Sequence, residues 1–278
     1  MAVRDTILRL SQGHLNVLTD CPRKFQHQYL DKLIHPLPIA QQERLEWGSQ
    51  FHLLMQQQEL GLPVEDLLPD DSVFMQCLHA LKTANPLLFS KTGEGEFRES
   101  EHQRILEFGG YAIATIYDLV ILEPGRAQIL DWKTYAKPKT NEYLIQNWQT
   151  RLYPFVLYET SDYSAEQISM TYWFVKRKKS LNIAPESSVI PYNKAYHISI
   201  KNELTQLLHR LTEWLQRYER GAQFPQVPVS SSQCDRCPFA IRCDREVTHR
   251  AATHREVTYP PSSTETIPLL DDIPEQPI

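Results

Sequence analysis

The apolar positions change their period twice along the chain. The N-terminal third has helical spacing. In SQGHLNVLTDCPRKFQHQYLDKL, apolar or aromatic residues fall at 15, 18, 25, 29 and 33, and Ser11 can cap a helix reaching about Leu33. Similar spacing predicts helices over about 40–60 and 71–84. The texture then switches to runs of strand type: EFRESEHQRILEF (96–108), YAIATIYDLVIL (111–122) and AQILDWKTY (127–135). Gly109-Gly110 and Pro124-Gly125 separate these runs as turns. A helix follows over about 141–158, a strand over 168–177, a weaker strand over 188–199, and a periodic helix over 202–221 that stops at Gly221.

This order predicts one α/β domain over residues 1–246, a mixed central sheet flanked by helices, with a helical N-terminal layer and a C-terminal cysteine segment. Beyond it, YPPSSTETIPLLDDIPEQPI holds five prolines in 20 residues, so 247–278 reads as a disordered tail. No apolar run approaches the length of a membrane span, and MAVRDTILRLSQGH lacks the apolar stretch of a secretory signal. The expectation is a cytoplasmic protein without membrane contact.

Charge sharpens the picture only locally. The net charge is −5; setting aside Glu265, Asp271, Asp272 and Glu275 leaves −1 for residues 1–264. Nucleic-acid contact would therefore come from patches such as VKRKKS (175–180) and not from a global field. That run reads equally well as a solvated strand end.

The strand ILDWKTYAKP carries Asp131 and Lys133 among apolar neighbours. With a turn centred on Pro124-Gly125, Asp118 faces Asp131; a turn of odd length would make the two diagonal. Directly opposite side chains have Cβ atoms about 5 Å apart, where two carboxylates repel. Protonation of one acid or a cation would relieve that repulsion, and two converging carboxylates suit a hard divalent ion such as Mg²⁺. Lys133 shares the face of Asp131 by strand alternation. The alternative is a buried Asp131–Lys133 ion pair with Asp118 incidental.

Of five cysteines, Cys234, Cys237 and Cys243 fall within ten residues as C-x2-C-x5-C, with Cys21 a candidate fourth ligand. Four thiolates suit tetrahedral zinc or a 4Fe–4S cluster, and spacing alone leaves both open. A set joining the two chain ends would staple the fold. Cys77 lies on an apolar helical face and reads as a core thiol.

An acid, a gap and then D-x-K on a strand resembles the PD-(D/E)XK nuclease superfamily, and YDLVIL…ILDWKT is similar to its RecB-type branch. GSQFH (48–52) resembles that branch's G-x-x-x-H, QTRLY (149–153) its Q-x-x-x-Y, and DCPRKFQHQYL (20–30) its early C-P-x-K-F segment. Thr115 stands where the family often has glycine, and Tyr117 where its name has proline. The resemblance implies a restriction-endonuclease-like fold and a DNA nuclease acting on ends or single strands. It implies Mg²⁺ or Mn²⁺ held by Asp118, Asp131 and the Trp132 carbonyl, with His52 a nitrogen ligand or a contact just behind the ligands. Lys133 would orient or activate water, and Gln149 and Tyr153 would support Lys133 or contact the nucleic acid. Glu101 reads as a further acid behind the ligands. Trp148, Tyr153 and Trp173 are candidates to stack on bases, with core packing the favoured role for at least two of them. The cysteine pattern resembles the iron–sulfur members, including CRISPR-associated exonuclease and AddB-type domains, which favours 4Fe–4S over zinc. Helicase, repair or CRISPR proteins are the implied partners. A non-catalytic iron–sulfur DNA-binding subunit is the alternative, as is a zinc-bearing structural protein.

Overall fold

In a computed structural model of the protein, the described residues are 7–69, 72–90, 96–175 and 184–245. The expected tail at 247–278 and the basic residues 176–180 lie outside them. The chain divides into two compact units, Met1–Gly13 with Leu37–Gln206 and His14–Pro36 with Leu207–Ile278.

The first unit is built on a six-stranded mixed sheet. Strands β1 (Arg9–Leu10), β2 (Phe97–Phe108), β3 (Tyr111–Glu123), β4 (Arg126–Lys133), β5 (Ile168–Phe174) and β6 (Glu186–Pro191) run in the order β1-β3-β4-β5-β6, with β2 also on β3. The β2–β3, β3–β4 and β5–β6 pairs are antiparallel, whereas β1–β3 and β4–β5 are parallel. Two turns fix the register. Gly109 and Gly110 both have positive φ (59° and 82°), the backbone of a two-residue hairpin turn. Gly125 at φ 81° closes the other, so Glu123 pairs with Arg126 and Leu119 with Leu130. The even-length turn keeps Asp118 in line with Asp131.

The face carrying Leu119, Ile121, Leu130 and Trp132 packs on helices α3 (Ile39–Glu59) and α5 (Val73–Ala84), which contribute Phe51, Leu54, Met75, Leu78 and Leu81. Between these helices lies the single turn α4 (Val64–Leu67), and after them α6 (Pro86–Phe89). Ser72 caps α5 by accepting from Met75 N at 3.2 Å. Cys77 is a core thiol there, pushed up to about 11 by burial.

Helices α7 (Glu142–Gln146) and α8 (Trp148–Glu159) replace the single predicted helix over 141–158. Asn147 leaves the helical region (ψ 139°), and its side chain accepts from Gln149 N to start α8 afresh. The weak strand expected over 188–199 is corrected as well. Pairing ends at Pro191, and Lys194–Tyr218 is one helix, α9, begun by Asn193, which accepts from Tyr196 N at 2.8 Å. The β-branched Ile198 and Ile200 disguised its first turns. At its other end Ala222 N donates to Arg217 O and Gly221 has φ 87°, a left-handed stop.

The second unit holds α1 (Gln12–Asp20) from His14 on, α2 (Pro22–Phe25), the end of α9 and the cysteine segment. The predicted helix to Leu33 is interrupted at Cys21, extended at φ −157°, and closes as a π-turn over Gln26–Leu30. Among the described residues no helix is long and apolar enough to cross a membrane.

Leu78 is fully buried, so Leu78→Ala should lower unfolding free energy by about 2–5 kcal/mol. Urea denaturation measures it, and a loss below about 1 kcal/mol would contradict this account of the core.

Candidate active site

The site forms where the sheet comes apart. The β3–β4 ladder ends at Leu119–Leu130, one residue short of the Asp118–Asp131 level. Beyond it Asp118 Oδ2 instead accepts from Trp132 N at 2.7 Å. On the other side of β3, Ser100–Leu119 and His102–Tyr117 pair normally, and the position between them, Glu101 against Asp118, is skipped. Glu101 has φ 53°, left-handed backbone in mid-strand, which costs a non-glycine residue about 1 kcal/mol or more. Both ladders therefore lapse at Asp118.

Helix α3 delivers His52. Gly48 sits one turn earlier beside the chain leaving β4, where an added Cβ would lie 3.4 Å from Thr134 Oγ1. His52 Nε2 donates to Trp132 O at 2.8 Å, and Nδ1 lies 3.3 Å from Asp118 Oδ2. Burial lowers the affinity of His52 for its proton, but the Asp118 charge and hydrogen bond outweigh it and hold the imidazole at about 9. Burial likewise raises Asp118, and the facing His52 overcomes it, leaving this carboxyl below its ordinary value.

Asp131 is 1 % exposed. Burial first, and then the Asp118 charge, push its carboxyl up to about 6 despite Lys133. Lys133 Nζ lies 2.7 Å from Asp131 Oδ1 and donates to Gln149 Oε1 at 2.8 Å, while Gln149 Nε2 donates to Asp131 Oδ2 at 2.5 Å. Lys133 and Gln149 thus engage one oxygen each of the buried Asp131 carboxylate. Thus the structure brings His52, Asp118, Asp131, Lys133 and Gln149 together on α3, β3, β4 and α8.

Tyr153 stands apart from this group. Its ring meets the Tyr117 ring edge-on at 5.2 Å, and its carbonyl accepts from Tyr117 OH. It packs behind Asp118, on the residue next to it. Of the two roles open to Trp148, Tyr153 and Trp173, stacking on bases or core packing, the structure shows packing: they are 2, 5 and 8 % exposed.

Glu101 was underrated by the sequence reading. His52, Glu101 and Asp118 each place a ligand atom within 4.8 Å of the others. Burial and then the Asp118 charge raise the Glu101 carboxyl. The signal was available: the Gly109-Gly110 turn, treated like the Pro124-Gly125 turn, sets Glu101 across from Asp118.

The donor set fits a hard divalent cation. It combines an imidazole with carboxylates that repel one another, the charges of Asp118 and Asp131 both acting on Glu101. A cavity of about 10 Å³, water-sized, borders Asp118, Trp132, Ser100 and Arg98.

In the second unit Cys21, Cys234, Cys237 and Cys243 are half-buried and free. Burial raises the Cys237 and Cys243 thiols, and the other cysteines of the set add to the rise. Cys243 Sγ lies 3.7 Å from His27 Nε2, and His27 Nδ1 is 2.9 Å from Asp31 Oδ2. Asp31 also accepts from Tyr218 OH at 2.8 Å. Arg23 Nε donates to Phe224 O and Gln26 Oε1 accepts from Phe224 N, joining residues 14–36 to those after 207.

A family model described as the PD-(D/E)XK nuclease superfamily matches residues 9–244. No curated protein matches the sequence. Among solved structures, one from Eubacterium rectale described as "Putative exonuclease" aligns with a TM-score of 0.51 at 11 % identity, covering 91 % of each chain. That likeness is one of fold. SSO0001 aligns with a TM-score of 0.36 at 14 % identity, covering 89 % of this chain and 91 % of its own, too distant to argue from.

The raised imidazole gives a pH prediction. A group whose folded pKa exceeds its unfolded value stabilises fully below the latter and loses that stabilisation as pH rises through the former. Metal-free protein should therefore melt progressively lower between about pH 6.5 and 9, and His52→Gln should flatten that slope. Thermal melts in EDTA test this; parallel slopes for parent and variant would contradict it.

Proposed function

The chain belongs to the PD-(D/E)XK nuclease superfamily, and from that premise we propose that it is a Mg²⁺- or Mn²⁺-dependent deoxyribonuclease, an exonuclease of the RecB-type branch acting on DNA ends or single strands. The observation that carries the reading is the convergence of Asp118, Asp131, Lys133 and Gln149 with His52 at the end of the β3–β4 ladder. The Eubacterium rectale structure supports the exonuclease form by analogy of fold.

His52, Asp118, Asp131 and the Trp132 carbonyl would hold the ion, which supplies Lewis acidity at the scissile phosphate and a more acidic water. Lys133 contributes a buried ammonium, held in place by the Gln149 carbonyl, where negative charge on a reacting phosphate would develop. Gln149 also fixes the rotamer of Asp131 through its amide. Tyr153 acts through Tyr117, bracing the strand that carries Asp118.

In the second unit we assign a 4Fe–4S cluster to Cys21, Cys234, Cys237 and Cys243, with zinc the alternative for the same thiolates. The support is their presence in one compact unit drawn from both chain ends and their mutual effect on acidity. A cytoplasmic setting, where thiols stay reduced, suits that assignment. DNA repair or CRISPR processing, beside a helicase or other repair protein, suits the activity.

End-labelled single-stranded DNA incubated with Mg²⁺ or Mn²⁺ should be degraded, and comparing 5′ with 3′ labels gives the polarity. Lys133→Ala should cut cleavage by about 10²-fold or more; equal cleavage would refute the assigned role. Protein purified without oxygen should absorb near about 400 nm, where zinc does not. Cys234→Ser should lose that band and melt at a lower temperature; unchanged absorbance and melting would refute the cluster.

A further inference from the structure

The D…D-x-K pattern leaves Glu101 without a role, yet the fold places it with care. The two-residue Gly109-Gly110 turn sets the β2–β3 register so that Glu101 arrives opposite Asp118. There the ladder is skipped and Glu101 takes a positive φ that its side chain disfavours. The consequence is a carboxylate, exposed at the mouth of the site, within 4.8 Å of a His52 nitrogen and an Asp118 oxygen. Beside this trio, Asp131 is almost completely buried, with Lys133 Nζ 2.7 Å from one oxygen and Gln149 Nε2 donating to the other. Asp131 faces the trio closely enough that its charge acts on both His52 and Glu101. The His52 charge attracts Glu101, but both ring nitrogens are already engaged, with Asp118 and with Trp132 O.

We propose that Glu101 is a direct ligand of the divalent cation, joining His52 and Asp118 from the solvent side while Asp131 contributes from the buried side. This rests on the metal-dependent nuclease reading and adds to it a ligand on β2, outside the D-x-K hairpin. The left-handed backbone is retained because it aims the carboxylate at the ion, at a cost that the bound ion offsets.

The test is calorimetric titration of Mn²⁺ into the metal-free full-length protein, with melting measured in EDTA and in Mn²⁺. Wild type should bind, Asp118→Asn should lose binding, and Glu101→Gln should bind about tenfold or more weakly. Glu101→Gly removes both the carboxylate and the strain. It should melt about 2–4 °C above wild type in EDTA and gain less than wild type from Mn²⁺. If Asp118→Asn is impaired while Glu101→Gln binds like wild type, or Glu101→Gly keeps the full Mn²⁺ shift, Glu101 is not a ligand and the nuclease reading stands. If wild type itself binds no Mn²⁺, the metal-dependent reading fails and the assignment of Glu101 falls with it.

Discussion

The structure turns on the repulsion among carboxylates around Asp118. Two such groups about 5 Å apart repel by about 3 kcal/mol at an effective dielectric of about 20. That is a large fraction of the stability of an ordinary domain. The protein does not avoid the cost by solvating the acids. Asp131 is buried, Lys133 and Gln149 hold it in place, and its carboxyl is still pushed up to about 6. His52 takes part of the charge from the helical side by binding its proton tightly between Asp118 and the Trp132 carbonyl. A folded chain that keeps such an arrangement is shaped for a cation, and the rest of the first unit serves to aim these groups.

The aiming follows from ordinary rules of sheet and helix. Two short turns set two registers, and both registers bring acids to one level of β3. The apolar alternation of β4 sends Leu130 and Trp132 into the helical layer, which leaves Asp131 and Lys133 on the other face toward α8. Helix α3 brings His52 to the strand ends, where it meets Trp132 O and Asp118. None of these features is catalytic by itself. Together they fix five side chains from four elements.

Much of this was legible in the sequence because strand alternation and turn length are arithmetic. Pro124-Gly125 gave the right register for Asp118 and Asp131, and the helix–strand–helix order gave the mixed sheet. The missed features have physical causes. Asn147 can continue a helix or cap one, and only the tertiary setting chose the cap between α7 and α8. Ile198 and Ile200 favour strands in isolation but lie on the helix that Asn193 starts. Glu101 was within reach of the same turn arithmetic, but its left-handed backbone was not. For the cysteines, spacing gave the set, and the fold gathers them in one unit; neither selects the metal.

The most direct test of the central claim is a crystal structure of the wild-type protein soaked with Mn²⁺, with the ion located by its anomalous scattering. The account predicts a peak bonded to carboxylate oxygens of Asp118 and Asp131, with His52 released from its hydrogen bond to Asp118. A site without an ion at saturating Mn²⁺, with the His52–Asp118 contact intact, would contradict it.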